Sequence, residues 1–113
     1  MTVYRTTPAQ VFSTFVDLTT TNTTDLIATL DNTAGLKSVH ICNDSGGAVT
    51  ITVDVYDGTN TYKLLNAESV GANDTFTLEL DVQLDRGQSL RATAASGNAL
   101  HVTTTYLQAV DRA

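Results

Sequence analysis

The sequence predicts an all-β fold: an antiparallel β-sandwich of the jelly-roll type with about eight strands. Three observations carry this prediction. Apolar and polar residues alternate strictly through residues 49–55 and 76–84, as they do in strands with one buried face. Turn-forming residues separate such segments about every 8 to 12 residues. No segment sustains the three- and four-residue apolar spacing of an amphipathic helix.

The central prediction concerns the segment LKSVHICNDSGGAVTITVDVYD. Val39 and Ile41 mark one face of a strand at residues 37–42, and residues 49–55 form the next strand. Residues 43–47 between them are Asn, Asp, Ser and two glycines, which favour a turn. Two strands joined by so short a turn predict a β-hairpin with one face in the core.

The other strands follow from the same alternation. They are predicted at residues 10–18, 25–30, 61–65, 76–84, 88–94 and 99–107. The Asp57-Gly58 pair favours a second hairpin, between residues 49–56 and the strand that begins at residue 61. Residues 66–74 are predicted as a loop anchored by Val70. Because residues 76–84 are long for one strand, we expect a bend or bulge near residues 80–82.

We predict an extended N-terminal arm at residues 1–9, one sandwich domain at residues 10–107 and a C-terminal tail at residues 108–113. A chain of 113 residues has room for one ordinary domain. Pro8 disfavours a helix start in the arm. We expect no signal peptide and no membrane partner, because no apolar run has the length that either requires.

Charge and composition argue against two classes of function. The formal net charge is −6 and the six basic residues are scattered singly, which argues against nucleic acid as a partner. Threonine accounts for 21 of the 113 residues, and such a composition suits the polar outer faces of β-sheets. It argues against an enzyme, whose site needs several reactive side chains together.

No catalytic, cofactor-binding or metal site is predicted from the reactive side chains. Cys42 is the only cysteine and has no fixed base near it in the sequence, which favours a structural thiol. His40 and His101 alternate with apolar neighbours in predicted strands, so we interpret them as surface or interface residues. A metal pair would need a third ligand.

The acidic residues admit the same simple interpretation. Asp54, Asp57 and Asn60 bracket the second hairpin turn, but the closing glutamate of a calcium loop is missing, which favours turn chemistry. Glu79 and Asp81 share the outer face of one strand. A solvated row is favoured there over the paired carboxylates of a glycosidase.

The strand at residues 10–18 has apolar groups on both faces. Phe12 and Val16 share one face, whereas Val11 and Phe15 share the other. Two interpretations stay open: Val11 and Phe15 contact another chain, or the strand lies at a sheet edge with one exposed phenylalanine. The first interpretation predicts a homo-oligomer in which the N-terminal region contributes to contacts between subunits.

Five segments resemble a group of small virion proteins of tailed bacteriophages, and the resemblance covers roughly residues 24–107. They are LKSVHICN at 36–43, VTITVDV at 49–55, YKLL at 62–65, VQLDRGQSLR at 82–91 and LHVTTTY at 100–106. The shared sequence pattern is a strand ending in Asn, a turn, a valine-threonine strand, a Leu-x-x-Gly-x-x-Leu segment and a last strand ending in Tyr.

The resemblance implies a non-enzymatic β-sandwich subunit of a phage or phage-like virion. It implies a capsid decoration or accessory protein, with the major capsid protein as a partner; a tail, neck or fibre-attachment protein is the alternative. Analogy with phage proteins favours a trimer, and pentamers and hexamers stay open. A rival from another class is a carbohydrate-binding module that holds its sugar on Tyr56, Tyr62 or Tyr106.

Overall fold

The computed structural model describes residues 9–109, and this part of the chain contains eight β-strands and no helix. The strands are β1 (Ala9–Leu18), β2 (Thr24–Ile27), β3 (Ala34–Asn43), β4 (Val49–Tyr56), β5 (Thr61–Val70), β6 (Thr75–Leu84), β7 (Ser89–Ala94) and β8 (Leu100–Ala109). Most of the predicted arm and tail, residues 1–8 and 110–113, lies outside the described residues, so the proposed division of the chain stays a prediction.

The strands form two four-stranded sheets. The front sheet has the order β1-β8-β3-β6, and the back sheet has the order β2-β7-β4-β5. All neighbouring strands are antiparallel. Eight antiparallel strands divided between two sheets in this order form a jelly roll. The predicted fold class is therefore confirmed.

The predicted hairpin of residues 37–42 and 49–55 is wrong, because β3 lies in the front sheet and β4 in the back sheet. The segment between them carries the chain from one sheet to the other. Val39 of β3 and Ile51 of β4 are both fully buried, and they face the same core from opposite sides. A hairpin and a sheet crossing both place a short turn between alternating strands, so the local pattern is the same for both.

Asn43 fixes this crossing and is fully buried. Its Nδ2 donates hydrogen bonds to the carbonyl oxygens of Gly47, at 2.9 Å, and Val70, at 3.0 Å. Its Oδ1 accepts hydrogen bonds from the backbone N–H and the hydroxyl of Ser45, at 2.9 and 2.7 Å. A buried amide with all these partners is stable in the core, and it joins the crossing turn to the end of β5.

The hairpin predicted at Asp57-Gly58 is confirmed, since β4 pairs with β5. The β5 strand is longer than expected and continues to Val70, which is buried as predicted. It does so through two bulges that sequence alternation does not reveal, near Leu64 and near Ala67. Ala67 has a φ of 51°, and its N–H donates to the Thr52 hydroxyl at 3.1 Å.

The expected bulge in β6 is confirmed, because Leu80 and Asp81 together face the single residue Lys37 of β3. The predicted ends of two further strands differ from the structure by more than one residue. The second strand ends at Ile27 instead of residue 30, and β8 continues to Ala109 instead of ending at residue 107. Gln108 stays in the sheet because it pairs with β1 on one side and β3 on the other.

The core lies between the two sheets and contains aliphatic side chains almost exclusively. The front sheet contributes the fully buried residues Leu18, Leu36, Val39, Ile41, Leu84, Leu100 and Val102. The back sheet contributes Ile51, Val53, Val70 and Leu90. At roughly 25 cal/mol per Å² of buried apolar area, this layer is the main source of stability.

Candidate functional site

β1 is an edge strand of the front sheet, with β8 on one side and no strand on the other within residues 9–109. Its side chains alternate as the sequence predicted. Phe12 and Val16 face the core and are half-buried, whereas Val11 and Phe15 face outward. The exposed fraction is 67% for Val11 and 78% for Phe15. The two residues predicted to contact another chain therefore lie on one face of an edge strand.

The register of the front sheet shows what surrounds these two residues. Val11 lies opposite Leu107 of β8, which is half-buried, and that row continues to Gly35 of β3. Phe15 lies opposite Thr103, and its row continues to His40. The apolar outer surface thus consists of Val11, Phe15 and Leu107 at the β1 end of the sheet. We call these three residues the β1 strip.

The inner face of β1 packs through an aromatic pair and also contains a buried threonine. The rings of Phe12 and Tyr106 stack, with centroids 5.5 Å apart and planes inclined by 22°. Thr14 and Thr104 lie opposite each other on β1 and β8. Both hydroxyls are buried, and neither has a hydrogen-bond partner among the described residues. This strand is therefore anchored by apolar contacts, and two polar groups in it carry an uncompensated desolvation cost.

His101 joins three elements at the other end of β1. Its Nδ1 lies 2.5 Å from Oδ1 of Asp17 on β1, and its Nε2 lies 3.0 Å from Oδ2 of Asp44 in the turn after β3. Hydrogen bonds to Asp17, and then to Asp44, raise the pKa of His101 above its ordinary value. The two carboxylates bind opposite edges of the ring, so the three side chains do not converge on one point.

The remaining histidine and the cysteine also lie on the front sheet. His40 Nδ1 is 2.8 Å from the Thr77 hydroxyl, and Cys42 is a half-buried free thiol. Within residues 9–109, no group of three or more His, Cys, Asp or Glu side chains has the geometry to hold a metal ion. The same residues contain no helix with the length and apolar character needed to cross a membrane.

The acidic residues of the second hairpin have separate roles. Oδ1 of Asp57 accepts hydrogen bonds from the backbone N–H groups of Asn60, at 2.6 Å, and Thr59, at 2.9 Å. These hydrogen bonds lower the pKa of the Asp57 carboxyl group. This is the turn chemistry that the sequence predicted. Asp54 is buried on the back sheet, where its Oδ1 accepts a hydrogen bond from Nε of Arg91 at 3.2 Å. The structure does not bring Asp54 and Asp57 to a common ligand position.

Glu79 and Asp81 line a surface depression of about 370 Å³ beside the β6 bulge. Asp81 forms an ion pair with Lys37, with Oδ1 and Nζ 2.6 Å apart. Both partners are exposed, so the pair contributes little to stability. The two carboxylates lie side by side on one outer surface, as expected of a solvated row.

The three tyrosines considered for sugar binding do not form one platform. The Arg91 guanidinium covers the Tyr56 ring at 4.0 Å from the centroid. Tyr106 stacks on Phe12 toward the core. Tyr62 is 53% exposed and pairs with the buried Val55, so it faces away from Tyr56.

Sequence reasoning missed a second apolar surface, on the opposite side of the sandwich from β1. Here the edge strands β5 and β6 face solvent. Within residues 9–109 they do not pack against each other as β1 and β2 do at the other side. Inward-facing apolar side chains are consequently only half-buried. We call this surface the open side; it comprises Leu64 and Leu65 of β5, Phe76, Leu78, Leu80 and Val82 of β6, and the exposed Tyr62.

The signal for the open side was present in part. The alternation in the sequence of β6 correctly places Phe76, Leu78, Leu80 and Val82 on one face. The sequence carries no comparable signal for the position of β6 at an edge, because strand order depends on the whole chain. An apolar row at an edge is less covered than the same row in the middle of a sheet.

Comparisons of the sequence find no matching family model and no matching curated protein. Solved structures do match. A pentameric capsid protein from metagenomic phage sequences superposes with a TM-score of 0.52 at 18% identity, covering 87% of this chain and 61% of that one. The chain thus spans about three fifths of the length of that protein.

Two further matches cover almost the whole of both chains. A chain of the acid-stable capsid of Helicobacter pylori bacteriophage KHP30 has a TM-score of 0.57 at 12% identity, with 92% of this chain and 94% of that one covered. The nucleoplasmin-like N-terminal domain of Drosophila FKBP39 has a TM-score of 0.54 at 14% identity, with 97% and 99% covered. These likenesses show a shared fold, the jelly-roll β-sandwich.

Proposed function

We propose that this protein is a non-enzymatic structural component of a phage or phage-like virion. The observation that carries the proposal is an eight-stranded jelly roll with exposed apolar residues on an edge strand, Val11 and Phe15. Such residues on a small acidic chain suit a subunit that another chain covers. The likeness to two phage capsid chains supports this role, as does the resemblance of the sequence to phage virion proteins.

The fold by itself does not select the virion role, because the Drosophila nucleoplasmin-like domain has it as well. The chemistry of the described residues adds a second argument. Three of the ionisable side chains are engaged in structural contacts: Asp57 in a turn, Asp54 with Arg91, and His101 between two carboxylates. A site built for catalysis would keep such groups together and accessible in a cleft.

Within the virion we propose a capsid decoration or accessory protein that contacts the major capsid protein. A tail, neck or fibre-attachment protein is the alternative, and the same fold and surface would serve it. Mass spectrometry of purified particles tests the class, since the proposal requires the chain at fixed stoichiometry in every particle. Labelling of intact particles with an antibody to the chain then separates the capsid shell from the tail.

We further propose that the chain assembles as a homo-oligomer. Analogy with phage proteins favoured a trimer, whereas the pentameric state of the metagenomic phage capsid protein supports a five-membered ring. Light scattering on the purified protein separates the two, because the masses would be three or five times that of the 12.0 kDa chain. A glycan array tests the rival carbohydrate-binding function, and strong saturable binding would favour that module instead.

A further inference from the structure

We propose that copies of this chain join head to tail, with the β1 strip of one copy docked on the open side of the next. This inference rests on the proposed homo-oligomeric role and names the two surfaces that form the contact. The occupant of the open side is thus a second copy of the chain, presenting Val11, Phe15 and Leu107.

The positions of the two surfaces determine the symmetry of such a contact. β1 and β6 are the opposite edges of the front sheet, and β2 and β5 are the opposite edges of the back sheet. The β1 strip therefore lies at one side of the sandwich and the open side lies at the other. A contact between different surfaces of identical chains is heterologous, and it generates a ring when the rotation closes.

The two surfaces match in chemistry and in length. The β1 strip presents Val11 and Phe15, four residues apart, which corresponds to about 13 Å along a strand. Phe76 and Leu80 on β6 have the same separation in sequence, and Leu78 lies between them. Phe15 is the most exposed of the large apolar residues in the described part of the chain. The open side presents apolar side chains that are only half-buried between the edges of β5 and β6, and these could contact the Phe15 ring.

The dimensions of the side wall set the extent of such a contact. β5 and β6 each contain 10 residues. Two such strands, in sheets roughly 10 Å apart, form a side wall of roughly 33 by 10 Å, or about 330 Å². A specific interface buries about 800 Å² on each partner. The side wall supplies less than half of that area, so the contact must extend onto the outer faces of the flanking strands.

Charge favours these surfaces over others. The chain carries a net charge of −6, so two copies repel each other wherever carboxylates meet. Residues 9–16 of β1 contain no charged side chain. On the open side, Glu68 lies opposite the core-facing Ile51 and is the one carboxylate on the inward face of β5. A symmetric contact through two front sheets would instead bring Asp17, Asp44 and Glu79 of one copy toward those of the other.

Cysteine cross-linking tests the proposal directly, in a Cys42→Ser background that removes the native thiol. The chain carrying both Phe15→Cys and Leu80→Cys is oxidised under mild conditions at a concentration where the unmodified protein is oligomeric. We expect a ladder of covalent multimers on a denaturing gel. Each single-cysteine chain alone should remain monomeric on that gel, because a heterologous contact never places two identical residues together.

Charge substitution provides an independent arm. Phe15→Asp and Tyr62→Asp place a charge in the β1 strip and in the open side, and each should reduce the mass measured by light scattering to that of a monomer. Thr21→Asp adds the same charge in the exposed β1–β2 connection and should leave the mass unchanged. Circular dichroism confirms that each variant is folded, and a mixture of the two interface variants should form only a dimer.

The outcomes separate this inference from the proposed function. A dimer from the Phe15→Cys chain alone would indicate a symmetric contact; the docking proposal would then be wrong, although the homo-oligomer would stand. An oligomer that tolerates Tyr62→Asp and forms no ladder would also overturn the docking proposal. A native protein that is monomeric at millimolar concentration would overturn both.

Discussion

The imidazole of His101 on β8 lies against the carboxylate of Asp17 on β1, with Nδ1 and Oδ1 2.5 Å apart. The other ring nitrogen faces Asp44, at 3.0 Å. Both nitrogens can donate a hydrogen bond only when the ring is protonated. Protonated His101 therefore links the end of the edge strand to the turn that leads into the back sheet.

The link predicts a pH dependence of stability. Folding raises the pKa of His101 above 6.5, first through Asp17 and then through Asp44. The stabilisation is thus fully present below the unfolded-state pKa of about 6.5 and is lost as the pH rises through the folded-state pKa. We expect Asp17→Asn to reduce the free energy of unfolding at about pH 5.5 and to have little effect at about pH 9.

Urea denaturation at the two pH values measures this difference. Asp25→Asn removes another exposed strand carboxylate and serves as the matched control, with the same small effect at both pH values. An NMR titration of His101 should also show a lower midpoint in Asp17→Asn than in the unmodified protein. An unchanged midpoint would show that Asp17 does not stabilise the charged ring.

Replacement of Asn43 should destabilise the protein strongly. Asn43→Ala leaves the carbonyl groups of Gly47 and Val70 without their donor and releases Ser45, all around a fully buried position. Lost hydrogen bonds and unsatisfied carbonyls predict a decrease of about 3 kcal/mol in the free energy of unfolding. Asn22→Ala in the exposed β1–β2 connection should change it by less than about 0.5 kcal/mol. Equal effects of the two replacements would contradict the role of Asn43.

Gly97 occupies a position where backbone approaches backbone. A Cβ atom there would lie 2.6 Å from the carbonyl oxygen of Thr19, and this contact can be relieved only by moving the chain. We expect Gly97→Ala to lower the free energy of unfolding by about 2 kcal/mol. Gly46→Ala is the control, since a Cβ at Gly46 meets nothing within 4 Å. Thermal unfolding followed by circular dichroism compares the two, and a Gly97→Ala protein as stable as Gly46→Ala would refute the clash.

Thr104 offers the opposite outcome, a stabilising replacement. Its buried hydroxyl has no partner among residues 9–109, and valine has nearly the same shape. We expect Thr104→Val to raise the free energy of unfolding by about 1 kcal/mol, or Tm by about 4 °C. Thr103→Val, on the outer face of the same strand, should have an effect below about 0.5 kcal/mol. A loss of stability in Thr104→Val would show that the hydroxyl is satisfied in solution.

The sequence predicts the strands well because period-two alternation is a local property. It places Val11 and Phe15 outward, Phe76 and Leu78 inward and a bulge at residues 80–82, and the structure agrees with each. Asp57-Gly58 predicts its hairpin because the turn geometry depends on those residues themselves.

The sequence does not predict the partner of each strand, because pairing depends on distant segments. Local patterning predicts β3 beside β4, but β3 lies between β8 and β6. Likewise, the bulges of β5 arise where the strand follows β4, and local alternation around Leu64 and Ala67 does not reveal them. The open side follows from the strand order, so local alternation does not predict it.

The pairing of β1 with β8 also has a consequence for how the chain folds. Ala9 lies opposite Ala109, so the first described strand pairs with the last described one. Of the strand pairs within residues 9–109, β4–β5 alone joins strands that are consecutive in sequence. Such non-local topology folds slowly, because long loops must close before contacts form. The front sheet cannot be completed during synthesis until β8 has left the ribosome. Until then β1 has no partner strand, and its apolar face stays uncovered.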